Sequence, residues 1–390
     1  MDMSTQAIKS LQIGMHWFPE RAGGLDRMYH TLVCALPGAG VTVRGVVAGS
    51  ERVAADTEGA IRGFGPAAQS LPRRLLAARR ALRASLSRER PDVVSSHFAL
   101  YTFPGLDVTR GIPQVSHFQG PWADESQVEG ADSIGQRTKR MLEQRVYARS
   151  SRLIVLSEAF GEILQARYAI PAERIRVVPG CVDVSQFNLP LSRADARRRL
   201  QLPQDRPVVL AVRRLVRRMG LEDLIEAMKR VKARQPDVLL LIAGKGRLAE
   251  ELQARITEAG LDDNVRLLGF VPDRHLAALY RAADVSIVPT VALEGFGLIT
   301  VESLASGTPV LVTPVGGLPE AVAPLSANLV LPSTGVDAIA DGLIGALNGS
   351  LKLPTEQECR IYARENFDTP VIAKRVAAVY SEAIEVGLVH

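Results

Sequence analysis

VSIVPTVALEGFGLITVESLASGTPVLVT, from Val285 to Thr313, reads as strand, turn, helix and second strand. VSIVPT and PVLVT are short β-rich apolar runs, and LITVESLAS between them has helical composition. Two such strands joined through a helix form a crossover unit, which belongs to a parallel sheet. Gly295 and Gly297 mark the turn, and Glu302 is the single charged residue between Gly295 and Val312. A buried carboxylate is costly unless something pairs or hydrogen-bonds with it. Glu302 therefore has either a structural partner, such as a core arginine, or a ligand. Glu294, eight positions earlier in the turn, calls for an explanation of its own.

Outward from this unit the same alternation fills the chain. Strands are expected at Leu11–Trp17, Thr42–Gly49, Asp92–His97, Pro113–Phe118, Arg152–Ser157 and Ile175–Gly180. A second set follows at Val208–Val212, Val238–Gly244, Val265–Gly269, Val285–Thr290, Pro309–Thr313 and Asn328–Pro332. Helical segments such as Gly220–Gln235 separate most of them. Near-continuous apolar strands alternating with helices imply an α/β protein with doubly wound parallel sheets covered on both faces. A length of 390 residues suggests two such domains. The seam is expected in the polar, proline-containing stretch near Gln186–Ser192. This gives a first domain at 1–187 and a second at 188–368, with an amphipathic helix at 369–390 packing back on the first. Strand carboxyl ends of two such domains are expected to face an interdomain cleft holding the ligand.

Composition narrows the class. The chain is 47% hydrophobic and 23% charged, with no run near the roughly 20 apolar residues that span a bilayer. The opening MDMSTQAIKS has no apolar leader core, so a cytoplasmic chain is expected. Cys34, Cys181 and Cys359 are scattered and show no metal-ligand spacing. Residues 1–190 carry 23 Lys+Arg against 18 Asp+Glu, whereas residues 191–390 carry 24 of each. Much of the excess lies in Ser70–Arg90, which has seven arginines, one glutamate and an apolar face of Leu71, Leu75, Leu82 and Leu86. This basic helix either packs on its own sheet or attaches to an anionic membrane surface, placing the protein peripherally on the inner face of the cell membrane. Nucleic acid is excluded as a partner, for want of a recognition motif and with 5% aromatic residues for stacking.

The candidate chemistry gathers at strand ends. Gly23 and Gly24 follow the first strand and open a helix, which makes either a plain loop or a phosphate cradle. RRLVRRMG (Arg213–Gly220) puts four arginines within six residues, as a solvated turn or as a set of forked donors for phosphate oxygens. Gly297, Leu298 and Ile299 offer N–H groups at a glycine-flanked helix entry. Two anion-friendly turns with an arginine cluster suggest a diphosphate. Glu294 would then reach the group on the distal phosphate, and Glu302 a vicinal diol such as a ribose. In the first domain His117 stands at a strand end before a Gly-Pro turn, and His97 competes with it.

Taken together, PERAGG, SHFQGPW, VVPGCVDVSQF, RRLVRRMGLEDLIEA, IAGKG, LLGFVPDRHLAALYRAADVSIVPT, EGFGLITVESLASGTPVL and VGGLPE resemble glycosyltransferase family 4. They stand in family order from about Leu11 to Glu320. The resemblance implies a GT-B fold of two Rossmann-like domains, the first binding the acceptor and the second the donor. The implied activity is retaining transfer of a sugar from a UDP- or GDP-linked donor to a glycan, lipid-linked or small-molecule acceptor. Cell-surface polysaccharide or glycolipid synthesis is the implied setting, with no cofactor and no metal. It also implies that Glu294 contacts the sugar, Glu302 the ribose, Arg214 the diphosphate and Val271 the base. His117 would stand beside the reaction centre, and Gly23 and Gly24 would approach the donor phosphate. The turn residues Gly295, Phe296, Gly297, Leu298 and Ile299 complete the implied donor site. The chain departs from the pattern at Met219, where the family usually has a lysine; Arg218 or Arg217 is the candidate replacement. Gly180-Cys181 also stands where Asn-Gly is more usual. The rival readings are a glycan phosphorylase or sugar-nucleotide epimerase on the same scaffold, and a non-catalytic nucleotide-sugar-binding subunit.

Overall fold

The computed structural model describes residues 7–18, 20–21, 23–122 and 133–389. Pro19 and Ala22 of PERAGG, and His390 at the end of the last expected helix, lie outside the described residues. The chain forms two compact units: Met1–Cys181 with Thr369–His390, and Val182–Asp368.

The first unit is built on seven strands: β1 (Ile8–His16), β2 (Val41–Ala48), β3 (Ile61–Gly63), β4 (Val93–Ser96), β5 (Gln114–Phe118), β6 (Arg152–Val155) and β7 (Ile175–Val177). They pair in the order β3-β2-β1-β4-β5-β6-β7, all parallel. The second unit has β8 (Val208–Val212), β9 (Leu239–Ala243), β10 (Val265–Gly269), β11 (Val285–Val288) and β12 (Val310–Val312), in the order β10-β9-β8-β11-β12, again parallel. Each is a Rossmann-like sheet whose direction of winding reverses beside its first strand, between β1 and β4 and between β8 and β11. Every residue of β9 (LLLIA) is buried, as a strand covered on both faces must be.

The helix Leu221–Arg234 shows how sequence sets the second unit. Leu221, Leu224, Ile225, Met228 and Val231 recur at helical spacing and are buried. Glu222 and Asp223 occupy its first turn, Lys232 and Arg234 its last, each sign matching the helix dipole. Gly220 opens it at φ 69°, where an added Cβ would lie 1.8 Å from the Pro289 carbonyl oxygen. That close approach ties the arginine-rich segment to the end of β11.

Three expectations need correction. Asn328–Pro332 is not a strand: Ala327–Leu329 is a 3₁₀ turn, and only Val330 bridges Val312. Pro332 has no N–H to extend such a ladder. Ile61–Gly63 is a strand that its three-residue length concealed. The seam lies at Cys181/Val182, six residues ahead of the expected 187/188 boundary. Val182 N–H donates to Phe367 O (3.0 Å), and Val184 N–H to Asp368 Oδ1 (3.2 Å). Phe187 meets Tyr280 at 6.1 Å between ring centroids, so the whole segment is fastened within the second unit.

The helix Thr369–Val389 belongs to the first unit. Ile372, Val376, Val379 and Tyr380 pack with Tyr29, Leu36, Val115 and Ile154. The basic segment forms the helix Leu71–Arg88. Ala78 and Leu82 are buried, Leu75 and Leu86 half-buried, and Leu71 is exposed rather than part of the packed face.

Candidate functional site

In the second unit the site grows from the ends of β8 and β11. Successive strand residues point to opposite faces, so neighbouring Arg213 and Arg214 part company. Arg213 is buried and reaches Thr290 Oγ1 and Glu294; its Nη2 lies 2.5 Å from Glu294 Oε2. Arg214 is exposed, and its side chain makes no hydrogen bond or ion pair among the described residues. Arg217 is exposed and turns to Glu222 and Glu251 on the surface (3.3 and 3.2 Å). Arg218 Nη1 donates to Leu293 O at 2.8 Å, immediately before Glu294. Met219 is buried in the apolar core.

The turn bearing Glu294 is held from several sides. Leu293 has φ 53°, left-handed backbone that costs a non-glycine residue about 1 kcal/mol or more. Gly317 N–H donates to Glu294 O at 3.0 Å. Gly316, at φ 55°, passes so close that a Cβ would sit 1.9 Å from that same oxygen. Gly297 (φ 74°) then caps the helix Leu298–Ala305, whose first N–H groups have no acceptor within the helix. Gly295, Phe296 and Gly297 are buried, while Leu298 and Ile299 are half-buried. Phe296 packs on Phe367, 5.4 Å between centroids, so its side chain is an anchor and only its backbone is open to a ligand role.

Glu302 is buried in the helix and accepts a hydrogen bond from the Tyr280 hydroxyl at 3.0 Å. A tyrosine hydroxyl is thus one of its partners. Val271 is half-buried beside Phe270, which is 58% exposed with Lys245 Nζ 5.5 Å from its ring. Reading the sequence missed Arg213 and Tyr280. Strand alternation across the arginine pair separates the two side chains without saying which one turns inward, and Tyr280 and Glu302 lie on different helices, so no local pattern joins them.

In the first unit, His117 lies within a buried polar knot. Its ring stacks on His97 (3.9 Å between centroids, 15° between planes), and its Nε2 is 3.4 Å from the Tyr380 hydroxyl. His97 Nε2 meets Gln12 Oε1 at 2.9 Å and Ser95 Oγ at 3.2 Å, and the Tyr380 hydroxyl donates to Ser95 Oγ at 2.8 Å. Burial pushes the His117 pKa down to about 3. Burial and then the neighbouring His117 hold His97 well below its ordinary value. Both rings are neutral at neutral pH and act as hydrogen-bonding groups.

Gly23 is extended and Gly24 opens the helix Gly24–Ala35; both are exposed, with nothing within 4 Å of a Cβ placed on Gly24. Asp26 in that first turn accepts from His16 N–H at 3.1 Å and lies 3.4 Å from His16 Nδ1, which braces the loop against β1. Among the described residues no group of three or more His, Cys, Asp or Glu could hold a metal ion.

Comparison with known proteins matches residues 22–186 to the family described as Glycosyltransferase Family 4, and residues 192–366 to the one described as Glycosyl transferases group 1. The D-inositol 3-phosphate glycosyltransferase of Kribbella flavida is 31% identical over 361 residues, covering 89% of this chain and 82% of that protein. An uncharacterized glycosyltransferase of Methanocaldococcus jannaschii is 27% identical over 307 residues, 77% of each chain. Among solved structures, sucrose-phosphate synthase from Thermosynechococcus elongatus superposes with a TM-score of 0.79 at 23% identity, covering 97% of this chain and 100% of that one. Anabaena HepE, solved in complex with UDP-glucose, gives 0.75 at 20% identity, over 96% and 100%. At such identities the structural likenesses establish the fold.

Proposed function

The chain belongs to glycosyltransferase family 4 and has the GT-B fold, and we propose that it moves a sugar, with retention, from a nucleotide-diphosphate sugar to an acceptor hydroxyl. The observation that carries this is the turn–helix Glu294–Glu302, with a carboxylate at each end and a helix N-terminus between them. Glu294 accepts from hydroxyls of the sugar, and Glu302, oriented by Tyr280, from those of the ribose. Gly297, Leu298 and Ile299 N–H groups meet the diphosphate, together with Arg214 and Arg218. The base contacts backbone near Val271. Solved complexes of Anabaena HepE with UDP and UDP-glucose support a nucleotide-sugar donor.

In the proposed reaction the bond from the anomeric carbon to the phosphate oxygen breaks while the acceptor oxygen bonds to that carbon from the same face. The acceptor proton goes to the departing phosphate. The protein supplies orientation and stabilises the leaving charge through Arg214, Arg218 and the helix N-terminus, so no metal is required. His117 contributes as a neutral hydrogen-bonding group. The acceptor is a glycan, a lipid-linked oligosaccharide or a small hydroxyl compound of cell-surface assembly.

Thermal melting against UDP-glucose, UDP-galactose and GDP-mannose tests the donor, because a ligand of the native state raises Tm. One of them should raise Tm and support transfer in the presence of EDTA. Binding with neither hydrolysis nor transfer across an acceptor panel would leave a non-catalytic subunit. A phosphate-dependent cleavage without nucleotide sugar would favour a phosphorylase.

A second reading concerns the helix Leu71–Arg88. Arg74 is spent on the Tyr101 hydroxyl and Arg79 on Asp107 and the Pro104 carbonyl, whereas Arg73, Arg80 and Arg83 are exposed on the helix face that also carries exposed Leu76. Arginines with an exposed leucine among them suit an anionic lipid surface. Replacing Arg73, Arg80 and Arg83 with glutamine should reduce sedimentation with phosphatidylglycerol vesicles, and unchanged sedimentation would remove the helix from the account.

A further inference from the structure

We propose that Arg213 is the positioning residue for Glu294: it takes one carboxylate oxygen so that the other is aimed at a hydroxyl of the donor sugar. The inference rests on the donor-binding reading above and adds a residue that the family resemblance left without a role.

The geometry is one-sided. Arg213 Nη2 engages Glu294 Oε2 and Thr290 Oγ1, while Glu294 Oε1 has no partner among the described residues. The two side chains are 7% and 14% exposed, so the arginine is the inner member and the carboxylate faces outward. Arg213 Nε is buried without a hydrogen-bond partner. A guanidinium buried on these terms is expensive, and a pair of apolar side chains would fill the same space at lower cost. Its presence is explained if the carboxylate must be held in one orientation.

The rest of the turn points the same way. Gly317 N–H and the close approach of Gly316 fix the Glu294 backbone, and Arg218 fixes the preceding carbonyl. A turn held by this many contacts leaves Glu294 little freedom except at Oε1. A carboxylate with one oxygen fully engaged accepts hydrogen bonds in a defined direction, which is what discrimination among sugar hydroxyls requires. With Met219 in the core and Arg217 drawn to surface glutamates, Arg213 is the buried cation of this turn. Its charge is matched by Glu294, so it acts through the carboxylate and leaves the diphosphate to Arg214 and Arg218.

Calorimetric binding of UDP, UDP-glucose, GDP and GDP-mannose, with transfer kinetics, tests this on the full chain and on Arg213→Met, Arg213→Lys, Glu294→Gln and the Arg213→Met/Glu294→Gln double variant. Arg213→Met should bind the nucleoside diphosphate within about twofold of wild type, yet lose about tenfold of the affinity added by the sugar and about 100-fold in kcat. Arg213→Lys should recover part of both. In the Glu294→Gln background Arg213→Met should change sugar-nucleotide binding by less than about twofold, since the two act as a unit. An equal loss for diphosphate and sugar nucleotide would make Arg213 a phosphate ligand and overturn the proposal. So would an undiminished Arg213→Met, or an effect that persists in Glu294→Gln. If Arg213→Met fails to fold, Thr290→Val loosens the same guanidinium: a severalfold loss of the sugar increment is expected, and no loss overturns the proposal. Wild-type protein that binds none of the four probes would fail the donor reading itself, and this assignment with it.

Discussion

The two units solve the placement of polar groups in opposite ways. In the first, Gln12, Ser95, His97, His117 and Tyr380 are buried across the strand ends as neutral partners of one another. In the second, Arg213 and Glu294 pair as opposite charges at the rim of the sheet, and buried Glu302 accepts a hydrogen bond from the Tyr280 hydroxyl. Burial sets protonation in the first unit, whereas charge pairing sets orientation in the second. A neutral knot is sensitive to protons; a charged turn is sensitive to loss of either partner.

Four experiments break or sharpen that contrast. Glu294→Ala should cost about 10³-fold in transfer, the scale seen when a group acting on the reacting end of a substrate is lost, with a melting curve close to wild type. Full activity would end its assignment to the sugar.

Acid should act next, and on the first unit. His117 has a folded pKa near 3, below the ordinary value of 6.5, so the unfolded chain takes up its proton first. Stability from the neutral ring is complete above about pH 6.5 and is lost progressively as the pH falls toward 3. Between pH 6.5 and 4.5 this amounts to about 2–3 kcal/mol. Denaturant titrations over that range should show the slope, and His117→Gln should flatten it; a slope unchanged in that variant would put the acid sensitivity elsewhere.

Glu302→Gln should weaken nucleoside diphosphate binding by about tenfold, the effect of losing one charge-assisted hydrogen-bond acceptor. Unlike Glu294→Ala, it should weaken UDP or GDP as much as the corresponding sugar nucleotide. Equal binding of the diphosphate by variant and wild type would remove Glu302 from the ribose. Smallest of the four, Tyr380→Phe should lower stability by about 1 kcal/mol, by removing a hydroxyl shared among Ser95, Gln12 and His117. Chemical denaturation measures it, and an unchanged midpoint would show that Ser95 and Gln12 re-pair without it.

The contrast also explains what could be read early. Eleven of the twelve expected strands stand near their expected ranges, because parallel-sheet strands and crossover helices leave strong apolar periods. The turn at Glu294 was visible because glycines and isolated charges in an apolar stretch are rare. The polar knot was not, since glutamine, serine and tyrosine in strands and helices give no sign that they converge. Short or truncated strands were the other failure: Ile61–Gly63 is too brief to show a period, and Asn328–Pro332 shows one that proline ends.

The sequence alone determined the alternating architecture, the family and the two carboxylates of the turn, because these depend on local period, glycine placement and charge in order along the chain. Only the tertiary structure decided which arginine of the 213–218 cluster holds Glu294. That choice depends on which face of β8 is buried, a property of the sheet rather than of the segment. The same holds for Tyr380, which reaches His117 across 263 positions of sequence and helps to seat a histidine whose neutrality comes from burial.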